Sequence, residues 1–205
     1  GLGDVYKRQN IDAMGCETVS LQGKQNLESL IEKYQDDSCC QGVMNDIKGA
    51  KKVLAENTIP DFLKRCVCNR KRHQWCISNN AVDCAVKKLL TNYEELCKIK
   101  NFDDLYDKIF KLIGEGKTGI SYSTVYDTAI RFGGSMKPAV EPQRYVYVHQ
   151  KLIQSAKHIV GGKSFSTNYR IERSEFSKVC AAFVKLDSLF VEDFLCVYHD
   201  EIMKL

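Results

Sequence analysis

Proline and glycine are scarce in this chain, with 3 Pro and 13 Gly in 205 residues. That excludes collagen-like and Pro/Gly low-complexity architectures. Long apolar runs are missing too. No uncharged stretch approaches the ~18 residues a membrane-spanning helix needs, so no such helix is expected. The segment Gly1–Asn10, GLGDVYKRQN, has no apolar core of a secretory leader. Histidine is sparse as well. His73, His149, His158 and His199 form neither a His-x-x-x-His nor a His-Glu-x-x-His pattern, which would set two imidazoles on one helical face for a metal.

What remains is the composition of a folded domain: 44% hydrophobic and 27% charged residues. Such a balance excludes a disordered chain, and the length suits one domain. Leu2–Gln9 resembles a translated sequencing adapter, so residues 1–10 are set aside as an artefactual N-terminus. The net charge of +4 permits a nucleic-acid partner without demanding one. Its distribution says more. Between Phe62 and Val82 the charged residues are Lys64, Arg65, Arg70, Lys71 and Arg72, all basic. Between Asp187 and Glu201 every charged residue is acidic. This polarity can orient a protein on an anion, or can simply mark a solvated basic loop and an acidic terminal helix.

Ten cysteines are present. Their spacing is not that of a compact disulfide framework, and a chain of this length can build a core without staples. Free thiols in a reducing cytoplasm are therefore expected. Cys84, Cys97, Cys180 and Cys196 fall at apolar positions of helix-like segments, where cysteine acts as a small hydrophobe. Cys66, Cys68, His73 and Cys76 place four soft ligands close together. Zinc prefers two separated pairs, each with two to four intervening residues, so the expectation is no metal. The basic surroundings favour a thiolate at Cys66 or Cys68.

Hydrophobic periodicity predicts helices over Asn26–Tyr34 and Val43–Leu54. Pro60 marks a helix boundary. The strongest amphipathic pattern runs over Ala81–Cys97, with Val82, Ala85, Val86, Leu89, Leu90, Tyr93 and Leu96 on one face. It predicts a central buried helix. Asn101 and Asp104 form a capping box, as do Thr124 and Asp127, the latter opening a helix that ends at Gly133-Gly134. Tyr145–Val148 alternates as a strand does, but Val148, Leu152, Ala156 and Ile159 continue at helical spacing, and a helix is expected. Two further helices are expected over Ser174–Phe183 and Ser188–Lys204. The whole is a single all-α, multi-helix domain, with 11–58 as a peripheral helical segment and 59–205 as the main domain.

The segment Asn101–Gly133 reads helix, Gly-rich turn, helix. Within it Thr118-Gly119-Ile120-Ser121-Tyr122-Ser123-Thr124 resembles the hairpin of the helix-hairpin-helix element, a DNA-backbone module of repair and replication proteins. Gly119 and Ile120 match the first half of that pattern, and Ser121 stands where its second glycine is expected. The resemblance implies non-specific contact with a nucleic-acid backbone. The physical logic is independent of the family. A helix N-terminus carries unpaired N–H groups and about half a positive charge, and glycine lets the backbone approach an anion. Lys117 and the hydroxyls of Thr118, Ser121, Ser123 and Thr124 would add phosphate contacts, which position rather than specify. Gly119–Gly133 and Val191–Tyr198 also resemble stretches of bacterial proteins of unassigned function.

Enzymatic readings find less. Glycosylases with this element carry a catalytic Asp after the second helix, whereas here no Asp lies between Thr128 and Ser166, and Glu141 is the acid there. Gly161-Gly162-Lys163-Ser164 resembles the end of a phosphate-binding loop, but Lys157 stands where the first glycine is required. The expectation is a non-enzymatic, cytoplasmic bacterial protein that holds DNA or RNA backbone without cofactor. Its contacts would be Lys117, Thr118, Gly119, Ile120, Ser121, Ser123 and Thr124 with Lys64, Arg65, Arg70, Lys71 and Arg72. An all-α protein-interaction or regulatory module is the alternative, and an enzyme on nucleic acid the third reading.

Overall fold

The computed structural model describes residues 20–36, 40–69, 77–114, 119–149, 151–162 and 170–205. Residues 1–10 lie outside these segments, as do Arg70, Lys71, Arg72, His73, Cys76, Lys117, Thr118, Lys163 and Ser164 among the residues singled out above. The chain begins with α1 (Leu21–Asp36), α2 (Cys40–Glu56) and α3 (Ile59–Val67). Thr58 starts α3: its hydroxyl accepts the Asp61 N–H, the Asp61 carboxylate accepts from the Thr58 N–H and Oγ1, and Pro60 occupies the first turn. Ser78 caps α4 (Asn79–Thr91) by accepting the Ala81 N–H at 3.2 Å. Asn92 closes α4, with its side chain donating to the Lys88 carbonyl at 2.9 Å, and then opens α5 (Tyr93–Lys98). The periodic stretch Ala81–Cys97 is thus two helices joined at an asparagine.

As expected, Asn101 caps α6 (Phe102–Ile109), accepting the Asp104 N–H at 2.8 Å. A wider π turn, Phe110–Gly114, follows. Next come α7 (Tyr122–Ser135), β1 (Tyr145–Tyr147), α8 (Lys151–Val160), β2 (Arg170–Glu172) and α9 (Arg173–Val179). A 3₁₀ turn, Ala181–Lys185, leads into α10 (Ser188–Val197) and α11 (His199–Ile202). The fold is all-α apart from the two-stranded antiparallel ribbon, which pairs Tyr145 with Glu172, Val146 with Ile171 and Tyr147 with Arg170. Among the described residues, no helix is long and apolar enough to cross a membrane.

Two hydrophobic clusters fill the interior. The first gathers Ile47 and Ala50 of α2, Phe62 and Leu63 of α3, Ala85 and Leu89 of α4, Leu105 and Ile109 of α6, and Val125, Ala129 and Phe132 of α7. The second gathers Leu27, Ile31 and Tyr34 of α1 with Leu152 and Ile159 of α8, Ile171, Phe176, Phe183, and Val191, Phe194 and Leu195 of α10. The ribbon stands between them. Strand side chains alternate in direction, so Val146 enters the second cluster while Tyr145 and Tyr147 face the first. Within the stretch 11–58, α1 and α2 supply buried side chains to different cores.

The central helix is α7, not the Ala81–Cys97 stretch. Every residue of α7 from Thr124 to Ser135 is buried except Asp127, which is half-buried. Two of its small hydroxyls bond back to the helix: Thr128 Oγ1 donates to the Thr124 carbonyl and Ser135 Oγ to the Arg131 carbonyl, both at 2.6 Å. Gly133 and Gly134 do not stop the helix but allow close packing. A Cβ on Gly133 would lie 2.2 Å from the Val140 carbonyl oxygen, and one on Gly134 2.8 Å from the Ile47 side chain. Tyr145–Tyr147 is a strand rather than the start of a helix. The last two predicted helices each end early, at Val179 and Val197, where new short helical turns begin.

Candidate nucleic-acid interface

Ser121, not Thr124, begins α7. Its hydroxyl accepts the Thr124 N–H at 3.3 Å and lies 2.9 Å from Ser123 Oγ and 3.0 Å from Thr124 Oγ1. Thr124 is only 2% exposed and Ile120 is buried, so both support the turn from within. Gly119, Ser121 and, in part, Ser123 face outward. Gly119 has φ +71°, a left-handed conformation that a side chain disfavours. The space above it is open: a Cβ placed there would meet only Ala81 Cβ, at 4.0 Å.

That proximity joins two features far apart in the sequence. Ala81 lies in the first turn of α4, and the same turn forms one wall of a cavity of about 490 Å³ lined by Lys64, Arg65, Asn69, Asn79 and Val82. The glycine turn and the basic end of α3 thus meet around one helix N-terminus. Asp61, the acid in this lining, is engaged in capping α3. Further along α4, a shallow groove of about 530 Å³ runs between the helix and the π turn. Lys87, Lys88, Thr91, Lys111 and Cys84 line it, and among the described residues no acidic one does. Lys87, Lys88, Lys111, Asn69 and Asn79 were not singled out from the sequence. The Lys87-Lys88 pair on the outward face of the strongest amphipathic helix was a usable signal, whereas Lys111 joins the groove only through tertiary packing.

Arg65 is anchored rather than mobile. Its Nη2 donates to Asp46 Oδ1 at 2.9 Å. Asp46 also accepts from Asn69 Nδ2 and from Arg131, through Nε at 2.9 Å and Nη2 at 2.8 Å. Arg131, 1% exposed, completes its donors on the Cys66 carbonyl at 2.7 Å and pairs with Asp127 at 3.6 Å. Burial alone would raise the Asp46 carboxyl. The Arg131 charge and the hydrogen bonds from Arg65 and Arg131 outweigh it and hold the carboxyl below its ordinary range. Arg65 therefore lines the cavity with its guanidinium locked into a buried ion cluster.

The cysteine expectations change in part. Cys66 is fully buried, and burial pushes its thiol far up, so it is a neutral core group and not a favoured thiolate. Cys68 is half-buried, and Cys84 and Cys196 are exposed rather than inward. Among the described residues no three of His, Cys, Asp and Glu converge as metal ligands. Two other polar pairs are structural ties. Ser155 Oγ lies 2.6 Å from His199 Nδ1, but Ser155 has no exposed surface, and the contact joins α8 to α11. Glu192 of α10 meets His149 at 3.4 Å, with burial raising its carboxyl against the opposing pull of His149. Comparison of the chain with family models, curated proteins and solved structures finds no match in any of the three.

Proposed function

We propose that this chain is a non-enzymatic, cytoplasmic bacterial protein that binds the sugar-phosphate backbone of DNA or RNA through the face built on α4. The observation that carries the reading is the proximity of Gly119 to α4, where a Cβ on Gly119 would come within 4.0 Å of Ala81 Cβ. It sets the helix-hairpin-helix-like turn beside Lys64 and Arg65 and at the head of the groove that carries Lys87, Lys88 and Lys111. These five cations, with two helix N-termini, form a track for successive phosphates rather than a pocket for one base. Phosphate contacts of this kind give affinity without sequence preference. The buried Asp46 cluster keeps Arg65 in place, which lowers the entropy cost of each contact it makes.

A salt titration tests this directly. Binding to DNA or RNA at low salt should be insensitive to base sequence, and log K should fall steeply against log salt. Lys87→Ala should lower that slope by about one unit. The double substitution Lys87→Glu with Lys88→Glu should abolish binding at moderate salt, whereas Lys178→Glu on α9 should leave it intact. If the purified protein shifts neither DNA nor RNA at low salt, the reading is overturned and a protein-interaction module takes its place.

A further inference from the structure

A further cavity, of about 260 Å³, lies where the C-terminal ends of α2 and α7 meet α3 and α5. Aromatic rings build it. Phe62 and Phe132 are each 1% exposed and form its inner wall. Their centroids are 5.7 Å apart, with planes inclined by 40°. Tyr93 meets the same Phe132 ring edge-on, at 5.9 Å and 75°. Leu54 and Met136, both half-buried, extend the apolar lining.

Polar groups are few. The Ser135 hydroxyl spends its hydrogen on the Arg131 carbonyl. Tyr93 lies one turn before Cys97 on α5. Burial, with that thiol nearby, pushes the phenol up to about 12, so it stays neutral. Among the described residues no carboxylate lines the cavity, and its cation is Lys137. Lys137 is also the exposed member of the lining, so the cavity opens to solvent beside an ammonium group. No carboxylate of the described residues pairs with it.

Size and shape select the guest. An apolar cavity of about 150 Å³ is enough for benzene, so about 260 Å³ takes one ring with a short side chain. Aromatic pairs favour edge-to-face and offset stacks at centroid separations of about 4.5–7 Å. Walls set at steep inclinations to one another offer an incoming ring both kinds of contact. An unfilled gap also forfeits dispersion contacts for the rings around it, which a guest restores. We propose that this cavity binds a small aromatic carboxylate, its ring against Phe62, Tyr93 and Phe132 and its charge beside Lys137. The site is separate from the α4 face and does not depend on nucleic-acid binding.

The test titrates the whole chain by nuclear magnetic resonance with three probes: phenylpropanoate, its neutral isostere phenylpropanamide, and nonanoate, an aliphatic acid with as many carbons. Phenylpropanoate should bind tightest and shift the side-chain resonances of Phe62, Tyr93, Phe132 and Met136. The amide should bind about threefold to fivefold more weakly, the reach of an exposed ion pair. Nonanoate should bind about fivefold more weakly for want of ring contacts. Lys137→Met should bring acid and amide to equal affinity while amide binding keeps its wild-type value. Cys97→Trp fills the cavity and should abolish binding of all three, with circular dichroism checking that it folds. Lys137→Met, a surface change, carries the charge test whether or not the tryptophan is accommodated. No binding of phenylpropanoate at millimolar concentration, or shifts confined to residues away from the cavity, would overturn the site. A folded Cys97→Trp protein that binds as wild type does would overturn it as well. Equal wild-type affinity for acid and amide, a Lys137→Met protein that still tells them apart, or tighter binding of nonanoate would overturn the assignment of an aromatic carboxylate.

Discussion

At the scale of single residues, the most telling groups are two buried carboxylates held in opposite senses. Asp46 faces Arg131 and Arg65 and stays below its ordinary value of 3.8. The stability it contributes is fully present above that value and is lost as pH falls through the lower, folded one. Glu192 is displaced upward from 4.5 by burial. Its folded state holds a proton that the unfolded chain has released, so stability declines as pH rises from 4.5 through the folded value. Two substitutions separate these effects. Asp46→Asn should cost about 3–5 kcal/mol at neutral pH, because it strands two guanidinium groups against a neutral amide, and the deficit should shrink as pH is lowered below 3.8. Glu192→Gln should do the reverse, gaining on wild type as pH rises. Urea midpoints of the three proteins from about pH 3 to about pH 8 check both signs, and parallel curves would show that neither carboxylate is held as described.

At the scale of elements, the sequence is legible wherever apolar spacing and burial coincide. Val82, Ala85 and Leu89 repeat at helical intervals and are all buried, so α4 could be read directly. So could the Asn101 cap, a local contact three residues long. The rank of α7 could not. Thr124, Thr128, Arg131 and Ser135 look like a solvent face, and they are buried because two hydroxyls bond back to their own helix and Arg131 finds Asp46 85 positions away. Nothing local announces that partner. The Gly-Gly pair misleads for a similar reason, since glycine serves a helix stop and a close approach equally well. In β1 the Tyr-Val-Tyr-Val alternation was the correct signal, overridden by the helical spacing of α8 beyond it. The close approach at Gly133 gives a sharp expectation. Gly133→Ala drives a methyl into the Val140 carbonyl and the Leu105 side chain, and overpacking of this kind costs about 1–3 kcal/mol. Thermal denaturation should show that loss, while nucleic-acid affinity measured well below the transition stays at the wild-type value, because Gly133 lies at the opposite end of α7 from Ser121.

At the scale of the whole molecule, all five cations of the proposed face come from elements of the first core, while the second core contributes none of them. The cores are nonetheless tied. Arg170 of β2 is clasped between the rings of Tyr106 and Tyr147 and paired with Asp107 of α6, and Leu189 of α10 is buried in the first cluster. Tyr147 of β1 also donates to Asp103 of α6. The polar links fasten the ribbon, whose Val146 and Ile171 lie in the second cluster, to the first core, and they decide whether a ligand on one core is felt by the other. A ligand that binds only the folded state stabilises it by about 2.7 kcal/mol at a hundred times its dissociation constant. If the cores unfold together, that increment reaches amides that never approach the ligand. Hydrogen exchange with saturating oligonucleotide should therefore slow the buried amides of α1 and α10 as much as those of α4 and α7. Arg170→Met keeps the apolar stem between the rings and removes the charge that meets Asp107. In that variant the oligonucleotide should still protect α4 and α7, but protection of α1 and α10 should fall. Equal protection throughout the variant would assign the coupling to the burial of Leu189 in the first cluster instead of the Arg170 clasp.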